Sequence, residues 1–161
     1  MNIRIPCFLS ALLLLVTAPQ ALALTNQLQG HPAPYLAQHG DDPVAWQEWS
    51  DSVFELARAE NKLVYVSVGY FSCHWCHVMQ EESYSDPEIA KVLNRDFIPV
   101  KVDRELQPAL DIGLMDFVQK TQGRGGWPLN AFLTPEGYPL YAVLYVPPDS
   151  FAEVIAKIHT L

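Results

Sequence analysis

The chain has 161 residues, half of them hydrophobic, with 18 acidic against 10 basic side chains and a net charge of -8. That length suits one compact domain with its own core. The acidic, dispersed charge excludes a general nucleic-acid or anionic-membrane binder, since both partners call for basic patches.

Residues 1–23 have the layout of a secretory signal peptide. Arg4 lies near the start, an apolar run extends from Phe8 to Val16, and Ala21-Leu22-Ala23 offers the small residues a peptidase needs. The run is shorter than the ~20 residues that span a bilayer. An uncleaved anchor is therefore the lesser alternative, and no stable membrane insertion is expected after cleavage. The expected location is periplasmic or otherwise extracytoplasmic. Cleavage removes Cys7 and leaves Cys73 and Cys76, both in one Cys-X-X-Cys motif. An exported scaffold held by disulfides carries more cysteines, spread along the chain. This pair is read as chemistry rather than staple.

Residues 24–42 are rich in Pro, Gly, Gln and His and read as an irregular arm leading into a domain at 43–161. His31 and His39 read there as surface polar positions. From Asp42 the pattern turns helical, with Asp42 as cap, Pro43 in the first turn, and Val44, Trp46, Trp49, Val53, Phe54, Leu56 and Ala57 at three- and four-residue spacings. Asn61-Lys62 ends that helix, and Leu63 to Val68 is an apolar, β-branched run of the buried-strand type. Gly69 to Ser72 lead into Cys73 and a helix reaching about Glu82. Ser85-Asp86-Pro87-Glu88 predicts a fresh helix start with a Ser-x-x-Glu capping box, and that helix ends near Asn94. Phe97 to Val102 predicts a strand, Leu106 to Gln119 a helix, and Gly123 to Gly126 a flexible turn. Pro128 to Leu133 and Tyr138 to Val146 form a hairpin about Pro135-Glu136-Gly137. Phe151 to His159 closes the chain as a helix, with His159 facing solvent.

Strands alternating with helices predict an α/β fold, a central mixed sheet with a C-terminal antiparallel hairpin and flanking helices. The thioredoxin fold has this order and places its redox cysteines where the central strand meets the next helix. Cys73 falls at that junction.

Three-residue spacing at a helix start brings two sulfurs onto one face, close enough to bridge. Cys73, at the exposed helix N-terminus, is the expected nucleophile; Cys76, one turn in and buried, is the expected resolving thiol. A protonated His74 would stabilise the Cys73 thiolate further. Such environments lower a thiol pKa from about 8.5 to about 3.5, worth roughly 7 kcal/mol, so thiolate stabilisation is large enough to set redox direction. A reduction potential above that of a general thioredoxin, about -270 mV, is expected. Gly125-Gly126-Trp127-Pro128 precedes a strand where a thioredoxin fold carries a cis-proline facing the cysteines. The Trp127 backbone would then pair with a substrate strand and its side chain would shield the sulfurs, unless it is merely a core aromatic. Gly126 and Trp75 complete the expected substrate-binding set. Protein thiols and disulfides, with a separate redox partner, are the expected partners, and no cofactor is required.

Rival readings use the same residues. Cys73 to His77 also fits the Cys-X-X-Cys-His signature of haem attachment, with His77 as axial ligand and Met79 or Met115 opposite, although small cytochromes are mainly helical. Zinc held by Cys73, Cys76 and His77 or His39 lacks a second ligand pair. A third class is a binding module of the same fold without turnover, in which the aromatic residues around Trp46 and Trp49 hold a partner.

Over nearly the whole mature chain the sequence resembles the thioredoxin-like domain of the spermatogenesis-associated protein 20 type. The matching runs are Pro34 to His39, Asp42 to Trp46, Glu60 to Lys62, Ser72 to Met79, Val100 to Glu105, Gly125 to Asn130 and Phe132 to Pro135. The resemblance implies a thioredoxin fold with Cys73 and Cys76 as redox pair and Pro128 as cis-proline. Many members continue into a large helical toroid that this sequence does not include, so activities housed there do not carry over. General thioredoxins place a buried aspartate six residues before the first cysteine. Ser67 stands at that position, which puts a carboxylate proton shuttle for Cys76 in doubt.

Overall fold

The structure, a computed structural model, describes residues 24–160. The signal-peptide reading of residues 1–23, and Cys7 with it, lies outside the described residues. Among the described residues no helix is long and apolar enough to cross a membrane.

The elements are α1 (Pro34–Ala37), α2 (Asp51–Glu60), β1 (Leu63–Gly69), α3 (His74–Met79) running on into a π-helical turn (Gln80–Tyr84), α4 (Pro87–Asp96), β2 (Phe97–Asp103), α5 (Pro108–Gln122), β3 (Leu129–Leu133), β4 (Pro139–Val143) and α6 (Pro148–His159). The strands form one sheet in the order β2-β1-β3-β4. β1 pairs parallel with β2, whereas β3 is antiparallel to both β1 and β4. The mixed sheet and C-terminal hairpin expected from the pattern are present.

Both faces of the sheet are covered, which explains the near-continuous apolar strands. Alternation along β1 sends Val64, Val66 and Val68 to one face, where α2 and α5 close over them with Ile98, Val100, Val102, Leu129 and Ala131. Tyr65 points to the other face, into an aromatic cluster with Trp46, Tyr84, Phe97, Phe132 and Phe151 beneath α4 and α6. Each such fully buried side chain contributes on the order of 1.5–3 kcal/mol by leaving water.

Three local expectations are corrected. The helix expected from Asp42 begins only at Asp51. Val44 to Trp46 are irregular, with the Trp46 N–H donating to the Val44 carbonyl at 2.8 Å, and Gln47 bridges to β2: its N–H donates to the Pro99 carbonyl at 2.8 Å and the Lys101 N–H to the Gln47 carbonyl at 3.1 Å. Trp46 is fully buried, so long-range packing overrides a helical period. The Ser85 capping box does not form; Asp86 is the cap, its Oδ1 accepting from the Glu88 and Ile89 amides at 2.7 and 3.2 Å, an arrangement just as favourable for a helix start. Finally, the segment read as an irregular arm contributes Leu28, Tyr35, Leu36 and His39 to the interior and carries α1.

Candidate active site

β1 ends at Gly69, and the turn after it delivers Cys73 as the N-cap of α3, with extended backbone (φ -78°, ψ 103°). The Cys76 amide donates to Cys73 Sγ at 3.2 Å, a side-chain cap made by sulfur. The two cysteines form a disulfide with Cα atoms 5.2 Å apart, within the usual range for such bridges. The expectation of an exposed Cys73 is corrected: it is 3% exposed, against 1% for Cys76. Phe71 and Trp75 stand out at 55% and 51% exposure, and Trp75 packs on Tyr145 at 4.7 Å between ring centroids. His74 is exposed and edge-on to Trp75 at 5.3 Å.

The last pair between β1 and β3 is Val68 with Leu129. Pro128 precedes it by one residue, at the end of the sheet from which β1 heads for Cys73. The Trp127-Pro128 bond is cis, and Gly126 adopts φ 154°, a conformation that side chains other than glycine's rarely take. Trp127 is held from three sides. Its Nε1 donates to Asp111 Oδ1 at 2.8 Å, the Arg104 guanidinium lies 4.2 Å from its ring, and Tyr70 meets it edge-on at 5.7 Å. It also packs against the cluster that contains both cysteines. Trp127 is half-buried and packs against the clusters on both faces of the sheet.

Beneath the disulfide lies a polar network that the pattern did not reveal. His39, expected at the surface, is 1% exposed. Its Nδ1 is 2.7 Å from Asp42 Oδ2, which also accepts from Trp46 Nε1 at 2.8 Å, while Gln80 Nε2 donates to Asp42 Oδ1 at 2.8 Å. Asp42 is thus the hub of a buried network rather than a helix cap. Burial lowers the His39 pKa from 6.5 to about 4, helped by the nearby Lys101 charge and opposed by Asp42. Burial opposes ionisation of Asp42 as well, but its hydrogen bonds prevail and hold it below the usual carboxylate value. Lys101 is equally enclosed. Its Nζ donates to Ser67 Oγ at 3.0 Å and sits over the rings of Tyr84, Trp46 and Tyr35 at 4.5, 5.2 and 5.4 Å. Burial lowers its pKa from 10.5 to about 7, against the pull of Asp42. The sequence signal for this network is a set of polar and aromatic residues, Tyr35, His39, Asp42 and Trp46, at three- and four-residue intervals across the boundary between the arm and the expected helix.

Ligand sets for the rival readings do not assemble. Among the described residues no group of three or more His, Cys, Asp and Glu side chains is placed to hold a metal ion. His77 Nε2 is 2.8 Å from the Phe71 carbonyl, and the buried Met79 sulfur accepts from Asn130 Nδ2 at 3.4 Å. His31 is half-buried, its Nδ1 accepting from the Ala33 amide, and His159 is an exposed helix-end residue 3.8 Å from Asp96. Trp46 lies in the core, whereas Trp49, half-buried and edge-on to Phe54 at 5.0 Å, lines a mainly apolar surface cavity with Phe54, Leu110 and Pro139.

A family model described as a protein of unknown function, DUF255 (Thioredox_DsbH), matches residues 25–161. The human spermatogenesis-associated protein 20 is 48% identical over 124 residues, which cover 77% of this chain and 16% of that protein. An uncharacterized protein of Caenorhabditis elegans is 43% identical over 141 residues, 84% of this chain and 19% of its own length. The chain thus spans less than a fifth of these curated relatives. Among solved structures, one titled DsbH oxidoreductase superposes with a TM-score of 0.57 at 16% identity, covering 94% of this chain and 96% of the other. A Thermus thermophilus thioredoxin gives 0.53 at 18% identity, over 70% and 86%. At such identities the likeness speaks for the fold alone.

Proposed function

Because the chain belongs to the Thioredox_DsbH (DUF255) family and has a thioredoxin-like α/β fold, we propose that it is an exported thiol–disulfide oxidoreductase exchanging disulfides with protein substrates. The observation that carries the reading is the Cys73–Cys76 disulfide at the β1–α3 junction, at the end of the sheet where cis-Pro128 enters β3. In this reading Cys73 attacks, supported as thiolate by the Cys76 amide that already donates to its sulfur, and by His74 beside it. Cys76 then resolves the mixed disulfide. The Gly126-Trp127-Pro128 backbone pairs with an extended substrate segment, and Trp75 forms part of the rim it crosses. Residues 1–23 deliver the protein to an extracytoplasmic, periplasmic-type compartment, where a separate redox partner recycles the pair.

The test is reduction of insulin, or reshuffling of a scrambled disulfide protein, by wild type and by Cys73→Ser. Turnover lost in the variant supports the assignment, whereas a wild type no better than the variant overturns it. Trapping with Cys76→Ser should collect mixed disulfides through Cys73; capture through Cys73→Ser instead would reverse the two roles. N-terminal sequencing of the exported protein should begin near Leu24, and recovery of the intact leader would refute cleavage.

A further inference from the structure

Ser67, where a general thioredoxin would carry a carboxylate, has its hydroxyl engaged by Lys101 Nζ at 3.0 Å and Tyr84 Oη at 2.9 Å. The side chain that faces the second sulfur is Tyr35. A Cβ added to Gly69 would overlap Tyr35 Oη and stand 2.8 Å from Cys76 Sγ, so hydroxyl and sulfur flank the one position of β1 that has no side chain. Tyr35 Oη is also buried without any hydrogen-bond partner, although the Tyr65 and Tyr84 hydroxyls are both satisfied. Buried hydroxyls are rarely left unpaired, and one that is calls for a reason. A disulfide sulfur is a poor acceptor; a thiolate is a strong one.

We propose that the Tyr35 hydroxyl donates a hydrogen bond to the Cys76 sulfur once the disulfide opens, holding Cys76 as the thiolate that resolves mixed disulfides. This rests on the oxidoreductase reading. In the step concerned, Cys73 is bonded to a substrate sulfur. The Cys76 thiolate attacks Cys73 Sγ, the Cys73–Cys76 bond forms, and the Cys73–substrate bond breaks with its electron pair leaving on the substrate sulfur. The protein dithiol is thereby oxidised and the substrate disulfide reduced, and the proton given up by the Cys76 thiol ends on the departing substrate thiolate. Tyr35 keeps its own proton throughout.

The surroundings suit a donor rather than a base. Burial raises the phenol well above its ordinary 10.0, with Tyr84, Asp103 and Asp42 adding to the effect. Lys101 Nζ lies over the ring and His39 meets it edge-on at 5.2 Å, and Cys76 Sγ is the group on the Gly69 side. The His39–Asp42 pair fixes the ring from behind.

Tyr35→Phe removes the hydroxyl and keeps the ring. Stopped-flow resolution of a preformed Cys73 mixed disulfide with a small aromatic thiol should slow by about tenfold or more, the scale of one lost hydrogen bond to a charged group. Formation of the mixed disulfide, measured in Cys76→Ser, should be unchanged by the added Tyr35→Phe. In Cys73→Ser, the pH midpoint for iodoacetamide alkylation of Cys76 should move upward when Tyr35→Phe is added. An unmoved midpoint, or equal slowing of both steps, overturns the proposal. A wild type inert toward disulfides sinks the parent reading alone, because the alkylation profile still decides the hydrogen bond.

Discussion

Replacing Lys101 with methionine tests the most exacting feature of the interior, a primary amine enclosed by Tyr35, Trp46 and Tyr84 with Ser67 as hydrogen-bond partner. The unfolded amine is protonated below about 10.5 and the folded one only below about 7. Between those values unfolding takes up a proton, so stability rises with pH there; below 7 the full cost of burying the cation is present. A fall from 10.5 to about 7, at about 1.36 kcal/mol per pH unit, amounts to roughly 5 kcal/mol. Methionine forgoes that cost but also the hydrogen bond and the contact with the rings, about 1 kcal/mol or a little more each. A net gain of about 1–3 kcal/mol at pH 7 is expected. Urea unfolding of the oxidised protein from pH 6.5 to 9.5 reads the effect without titrating the cysteines. Wild type should gain roughly 2–3 kcal/mol between pH 7 and 9, and Lys101→Met should be nearly flat. Above that window Tyr35, Tyr65 and Tyr84, all pushed up by burial, make stability fall again in both proteins. A variant that keeps the wild-type slope would refute the assignment.

Asp42→Ala strips the hub from His39, Trp46 and Gln80; a loss of about 3–5 kcal/mol is expected by thermal or urea unfolding at pH 7, and a change under 1 kcal/mol would mean the network adds little. At the acid side, His39 is kept neutral by burial, with its pKa lowered to about 4 from 6.5, so stability should fall as pH drops from about 6.5 toward 4, and His39→Gln should flatten that limb. Gly69→Ala drives a methyl into Tyr35 Oη and Cys76 Sγ; destabilisation of about 1–3 kcal/mol is expected, and a neutral effect would show that the space can open. A glutathione titration should place the Cys73–Cys76 potential above about -270 mV, and a value at or below it would refute the expectation.

The β-branched and apolar runs made β1, β2 and the C-terminal hairpin legible because strands buried on both faces announce themselves locally. The placement of Cys73 at a strand–helix junction followed from the same runs. What escaped was decided by distant partners. Val44 and Trp46 fit a helical period, yet the Trp46 carbonyl accepts from the Gln27 amide and the next residue, Gln47, is bonded to β2, whose sequence lies far along the chain. Asp42 before Pro43 is a standard cap signal, and only the arrival of Gln80 and His39 at its carboxylate turns it into a buried acceptor. Lys101 interrupts the apolar run of β2 between Val100 and Val102, and the aromatic side chains that enclose it come from three other segments.

The pairing of Gln47 with β2 has a consequence for how the sheet meets other chains. An edge strand offers unpaired amides and carbonyls to any extended polypeptide. At β2 the Pro99 carbonyl and the Lys101 amide are already taken by Gln47, and Pro99 has no amide to offer. The opposite rim is β4, which opens with Pro139 and spans five residues. Both borders of the sheet are thus poor templates for strand addition. An extended segment from another copy of the chain therefore finds few free backbone groups at either border, which disfavours edge-to-edge polymerisation.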